Sequence, residues 1–299
     1  SVDAIKEKMK KIVHLYKAVF SEATEQKMRR KIVEKTRKEE LKFISSNGMF
    51  KDIHKGERCF IVGNGPSLKC LDLSVLKNKT IFTVNQSPRM KDFEKLETDY
   101  HIWTDERFFH LRDDSPEDME LLQVMGKVKS RDKSPVVFYK TSAYQMIQKY
   151  KLDSELDIHY LMDGPINFDS PAVDFPIDRP LPVFPTCIHY AILIAVYMGF
   201  TEIVLLGCDC TGLINTINAR REDCSEYTYA YDVSDNEAKR MQKQQECTKL
   251  ADEMLWYSQL LNTYGILYSY CKRKSCNLVN ANKGSILEEV PKVNLKDFI

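Results

Sequence analysis

Arg58-Cys59-Phe60-Ile61-Val62 runs directly into Gly63-Asn64-Gly65-Pro66-Ser67-Leu68, so a short apolar run breaks at a glycine-flanked turn and reopens as a helix start. That order confines the chain to folds in which a buried strand feeds a helix. Gly63 and Gly65 allow backbone angles and close approach that a Cβ forbids, Pro66 suits a first helical position, and free N–H groups at a helix start attract an anion. Asn64 can add a directed amide contact. The motif is neither Gly-x-Gly-x-x-Gly nor a Gly-Lys-Ser/Thr loop. A purely structural turn therefore stands beside the phosphate-holding one.

The same pattern recurs downstream. Thr80 to Val84 reads as a second strand ending at Asn85-Gln86, and Tyr100 to Trp103 as a third ending at Thr104-Asp105-Glu106-Arg107. Pro135 to Tyr139 is another, and Glu202 to Leu206 a central one ending at Gly207-Cys208-Asp209. Short apolar runs separated by helical stretches predict an α/β fold, Rossmann-like, with a mainly parallel sheet and helices on both faces. In such sheets the ligand crevice lies outside the carboxyl ends of the strands, so Asn64, Asn85, Asp105 and Asp209 are expected to converge there.

Pro185-Thr186 opens an apolar helix, Cys187 to Met198, closed by Gly199. Thr186 is then a cap or a ligand hydroxyl, and His189, one turn inside, reads as a packed residue rather than a catalyst. A polar stretch, Thr211 to Asp223, precedes Tyr227, Tyr229 and Tyr231, which are spaced by two. This is either a mobile lid over about 210–235 or, at the tyrosines, one face of a strand. A helix is predicted from Asn236 to about Tyr264, a strand over Leu267 to Tyr270, and a last strand at Leu278-Val279 with an Asn-rich exit.

The 299 residues divide into a helical extension over 1–50 and a nucleotide-binding catalytic domain over 51–299. The extension carries Ile5, Met9, Ile12, Val13, Leu15, Tyr16, Val19 and Phe20 at helical spacings, with an excess of lysine and arginine between Lys6 and Lys42. It reads first as an appended helix packing on the core or on a second subunit, with peripheral contact of its basic face with anionic lipid as the alternative. A formal net charge of +1 gives no argument for nucleic acid. Nine scattered cysteines, without a Cys-x-x-Cys pair or an apolar secretory leader, point to reduced thiols in a cytoplasmic protein without structural zinc.

Gly63-Asn64-Gly65-Pro66-Ser67-Leu68, Val84-Asn85-Gln86 and the stretch from Tyr197 to Gly207-Cys208-Asp209 resemble the small bacterial sialyltransferases that use CMP-sialic acid. They also resemble a broader group related to the archaeal 6-hydroxymethylpterin diphosphokinases, many of them surface-polysaccharide proteins, as does the ending Asn280 to Ser285 through Val290-Pro291-Lys292-Val293. The resemblance runs from about residue 57 to the end. It implies a nucleotide-sugar donor and a glycan acceptor, with the nucleotide at Gly63, Asn64, Gly65, Pro66, Ser67, Asn85 and Gln86, and Thr186 and Cys187 near the ribose or donor sugar. Tyr227, Tyr229 and Tyr231 would steady the departing phosphate. The sialyltransferases take their general base from a histidine after the Gly-x-Asp strand, whereas this chain has none beyond His189. Asp105, Asp209 and Glu106 are the strand-end carboxylates available in its place, with Asp209 the first choice as base or as an orienting residue. No cofactor is expected for sugar transfer. The alternative, pyrophosphate transfer to a pterin alcohol, implies Mg²⁺ on Asp105 and Asp209, and a non-catalytic nucleotide- or glycan-binding module is a third reading.

Overall fold

The computed structural model describes residues 2–129, 133–166, 174–221 and 226–299. Two helices, α1 (Val2–Thr36) and α2 (Lys38–Ser45), precede β1 (Arg58–Val62), β2 (Thr80–Val84) and β3 (Tyr100–Trp103). Then come α3 (Pro116–Gly126), β4 (Val136–Lys140), α4 (Tyr144–Tyr150), β5 (Asp157–Leu161) and α5 (Cys187–Tyr197). The chain ends with β6 (Glu202–Leu206), α6 (Gly212–Asn218), α7 (Asp235–Glu246), α8 (Leu250–Arg273) and β7 (Asn277–Asn280).

All seven strands form one parallel sheet in the order β5-β4-β3-β2-β1-β6-β7. Alternate side chains of a strand point to opposite faces, and both faces here are covered. Cys59 and Ile61 of β1 pack toward α5 and α8, while Phe60 and Val62 pack against Leu68, Leu73 and Leu76 on the other side. Trp103, Val137 and Tyr139 meet α2, α3 and α4. This is the Rossmann-like α/β architecture expected, helices on both faces and amino-terminal helices included. Every residue of α5 from Cys187 to Ala195 is buried. A helix apolar all round must be enclosed, and α5 lies between β1, β2 and β3 on one side and α8 on the other.

Several elements differ from the sequence reading. Leu267–Tyr270 is not a strand but part of α8, because Leu260, Tyr264, Leu267 and Cys271 continue one buried stripe at helical spacing. The single helix expected from Asn236 is two, α7 and α8, separated by residues 247–249. β5 escaped prediction: Asp-Ile-His-Tyr-Leu lies at the sheet edge with only its last two residues buried, so it carries little apolar signal. The polar stretch after Asp209 contains α6, and residues 222–225, within the expected lid, lie outside the described residues. On α1, Ile5, Met9, Ile12 and Leu15 are exposed. Among the described residues no helix is long and apolar enough to cross a membrane.

Candidate functional site

The glycine turn after β1 meets the turn after β6. Gly63 N–H donates to the Leu206 carbonyl at 2.8 Å and Gly65 N–H to the Gly207 carbonyl at 2.8 Å. Pro66–Cys70 is a short 3₁₀ turn, not the α-helix expected, and Ser67 N–H is taken by Asp209 Oδ1 at 3.2 Å. Three of the N–H groups expected to hold an anion, those of Gly63, Gly65 and Ser67, are therefore committed to protein. The glycines are needed because of the neighbouring turn: a Cβ on Gly63 would stand 2.6 Å from the Gly207 carbonyl oxygen, and one on Gly65 1.8 Å from Asp209 Oδ2. Asn64 is likewise engaged. Its amide donates to the Val84 carbonyl at 3.2 Å and accepts from Ser87 Oγ at 2.8 Å, joining the ends of β1 and β2. Asn64→Ala should lower folding stability by about 1–2 kcal/mol through these lost hydrogen bonds. Urea denaturation checks this, and unchanged stability would show the clamp to be inert.

Outside these strand ends lies a cavity of about 290 Å³. It brings together Gly63, Asn64, Gly65, Pro66, Asn85 and Gln86 with Asp105, Thr186 and Asp209. Tyr229 and Tyr231 also line it; Tyr227 and Ser67 do not, and Cys187 belongs to an adjoining cavity. Asn85 has φ of +46° and Cys210 φ of +59°. Left-handed backbone at non-glycine residues is unusual and gathers at functional sites. Asn85 is held there by its N–H on the Ile102 carbonyl at 2.9 Å and by the Cys187 thiol on its Oδ1 at 2.9 Å. Thr186, at the start of α5, makes no side-chain cap, so the positive end of that helix reaches the cavity uncapped by its own residue.

The carboxylates divide by what they touch. Asp209 places Oδ2 2.8 Å from Ser67 Oγ while Oδ1 takes Ser67 N–H, so both oxygens fasten the two turns together. Asp105 accepts two bonds from the Arg107 guanidinium, at 2.8 and 2.6 Å. Burial alone would raise Asp105, but the Arg107 hydrogen bonds and charge outweigh it and hold the carboxyl below its ordinary range. Its contribution to stability is then complete above the unfolded aspartate value of about 3.9 and lost as pH falls through the lower folded one. The stability difference between the native protein and Arg107→Gln should be constant above about pH 4 and shrink below it. A difference that grows toward low pH would refute that pairing. With both oxygens of each aspartate engaged by protein donors, Asp105 and Asp209 do not form a free oxygen set for Mg²⁺. Among the described residues no group of three or more His, Cys, Asp or Glu is gathered as a metal-ligand set.

A second cation of the cavity, beside Arg107, comes from α7. Arg240 forks onto Glu237 at 2.8 and 2.6 Å and lies 4.7 Å over the Phe108 ring. Glu237 itself is 2 % exposed and also accepts from Gln86 at 2.7 Å. Tyr229 and Tyr231 stack with centroids 5.2 Å apart, and burial pushes the Tyr229 phenol up to about 12. It remains a hydrogen-bond donor at neutral pH. Ala230 N–H to the Asn64 carbonyl at 2.9 Å ties this tyrosine segment to the glycine turn. His101 and His189 are fully buried, which lowers both to about 3, so neither offers a base at neutral pH.

Sequence reasoning passed over Arg240, Glu253, Trp256 and Tyr257, which also line the cavity. They sit on helices where charges and aromatics at helical spacing look like ordinary surface and core. The Glu237–Arg240 spacing of three was the one available signal.

A family model described as 6-hydroxymethylpterin diphosphokinase MptE-like matches residues 35–213. No curated protein matches the chain. A crystal structure of a tyrosine-to-phenylalanine variant of the sialyltransferase CST-II in complex with CMP is similar at 18% identity and a TM-score of 0.43, over 80% of this chain and 86% of that one. A likeness that distant carries no weight for the chemistry of this cleft.

Proposed function

The chain belongs to the 6-hydroxymethylpterin diphosphokinase MptE-like family, and from that premise and the geometry of its cleft we propose a nucleotide-dependent transferase of the glycosyltransferase kind. In this reading a sugar passes from a nucleotide-linked donor, CMP-linked by preference, to a glycan hydroxyl. One observation carries the proposal: phosphate-neutralising groups converge on a cavity whose Asp105, Asp209 and Glu237 carboxylates are already engaged. Arg240 and Arg107 are held charged and oriented by Glu237 and Asp105, with Tyr229 beside them as a neutral donor. Groups of this kind stabilise a departing phosphate without a metal ion.

The base must come from a carboxylate within reach of the acceptor. We assign the role to Asp105, which follows β3 and lines both this cavity and the adjoining one; Glu253 of α8 also lines both and is the alternative carboxylate. Held ionised by Arg107, Asp105 is a weak base that would accept the acceptor proton late, once the bond to the leaving phosphate is largely broken. Asp209 is assigned to positioning the glycine turn.

The family description favours a second reading, pyrophosphate transfer from ATP to a pterin alcohol, which normally draws on Mg²⁺. A thermal-shift panel of CMP, CDP, UDP, GDP and ATP, each with and without Mg²⁺, separates the two, since a ligand that binds the native state raises its melting temperature. Stabilisation by CMP without metal is the expected result. Stabilisation by ATP with Mg²⁺ alone would replace sugar transfer with pyrophosphate transfer.

A further inference from the structure

A second cavity, of about 950 Å³, opens beside the first and shares Asn85, Asp105, Arg107, Thr186, Glu253 and Trp256 with it. Its volume falls within the range of about 300–1,000 Å³ usual for small-molecule sites. Its polar wall is built rather than incidental. Lys140, at the end of β4, has a side chain only 7% exposed and places Nζ 2.7 Å from Asp163 Oδ2. The Tyr190 hydroxyl donates to Asp163 Oδ1 at 2.8 Å, and the same Lys140 Nζ lies 5.2 Å from the Tyr190 ring centroid. Arg37 reaches in from the junction of α1 and α2 to donate to the Asp163 carbonyl at 2.6 Å.

The signs of charge around this cavity decide what it can take. Arg37, Arg107, Lys140 and Lys249 alternate with Asp105, Glu106, Asp163, Asp252 and Glu253, so both signs are interspersed around it. A strongly anionic ligand would meet the carboxylates, and a cationic one the lysines. A hydroxyl both donates to carboxylates and accepts from ammonium and guanidinium groups, so a polyhydroxylated molecule without net charge satisfies the whole wall. Trp256, on the partition between the cavities, offers a flat apolar surface for the carbon face of a sugar ring.

We propose that this second cavity is the acceptor subsite and that it takes the neutral end of a glycan, bounded by Lys140 and Asp163, which the buried Tyr190 braces from the core, and by Trp256. The inference rests on the nucleotide-sugar reading for its chemistry but not for its binding. The acceptor hydroxyl attacks the anomeric carbon of the donor at the partition. The new carbon–oxygen bond forms as the bond to the nucleotide phosphate breaks, the phosphate leaves with the electron pair, and the hydroxyl proton passes to Asp105.

Val183 lines the second cavity but not the first and is 61% exposed, so Val183→Trp fills the acceptor side without entering the core. Gln259→Trp, from α8, fills it from another wall and serves if the first variant folds poorly. The probes are methyl β-galactoside, methyl β-N-acetylglucosaminide and lactose, with N-acetylneuraminic acid and 6-hydroxymethylpterin as contrasting ligands, each followed by saturation-transfer NMR. At least one neutral glycoside should bind the native protein and weaken tenfold or more in the filled variants, whose thermal stabilisation by nucleotide stays unchanged. The proposal is overturned if no neutral glycoside binds, if binding survives both substitutions, or if only the acid or the pterin binds. Glycoside binding that the variants abolish, in a protein that no nucleotide stabilises, would uphold the subsite and remove the transferase reading.

Discussion

Gly65→Ala is expected to unfold at clearly lower denaturant than the native protein and to lose nucleotide stabilisation with it. The added carbon would lie 1.8 Å from Asp209 Oδ2 and 2.5 Å from the Gly207 carbonyl oxygen. Neither atom can yield cheaply, since Gly207 is backbone that accepts the Gly65 N–H and Asp209 is bonded to Ser67. Overpacking of this kind costs about 1–3 kcal/mol. The upper end is expected here, because relieving the clash also breaks the bonds that lock the turns together. Gly126→Ala is the control: nothing lies within 4 Å of its added carbon, so its melting curve should scarcely move. If Gly65→Ala matched that control, the contact between the turns would be looser than the structure requires.

Arg240→Ala should weaken nucleotide binding by roughly 10- to 100-fold, corresponding to the about 1.5–3 kcal/mol of a hydrogen bond to a charged group. The substitution also leaves the buried Glu237 with only Arg89, at 3.6 Å, and the Gln86 amide. A general loss of stability must therefore be separated from loss of the phosphate contact. Arg240→Ala combined with Glu237→Gln does this, because it removes the stranded charge while keeping the amide-sized side chain. If the double variant regains its melting temperature but not its affinity for CMP, measured calorimetrically, Arg240 is a ligand of the phosphate. If both return, its part is only to neutralise Glu237. Arg240→Lys should rescue little, since an ammonium can neither fork onto Glu237 nor lie flat over Phe108.

The strands nearest the site were legible because parallel strands buried on both faces are written as short apolar runs. Arg58–Val62, Thr80–Val84, Tyr100–Trp103 and Glu202–Leu206 occupy the residues read from the sequence. Their polar exits line the cavity for the same reason, since the chain must leave the core there. What the sequence hid was partnership. Asn64 reads as a free amide, but its engagement by Val84 and Ser87 depends on where β2 ends. Asp209 reads as a carboxylate open for catalysis, yet its use by Ser67 follows from a contact across 142 positions of chain. Arg240 and Trp256 reach the cleft only through the packing of α7 and α8, for which their local spacing gives no address.

The placement of β6 beside β1 also sets an order of assembly. Arg58 and Glu202 pair across 144 positions, so β1 keeps one bare edge until nearly all of the sheet's other strands have been synthesised. Contacts of such long separation form slowly, and unpaired edges invite association while they wait. The turn at Gly63–Gly65 can close on Gly207 and Asp209 only after that wait ends. A nascent chain halted before β6 would thus carry β1 with one edge unpaired and a cleft without one wall, open to association until β6 arrives.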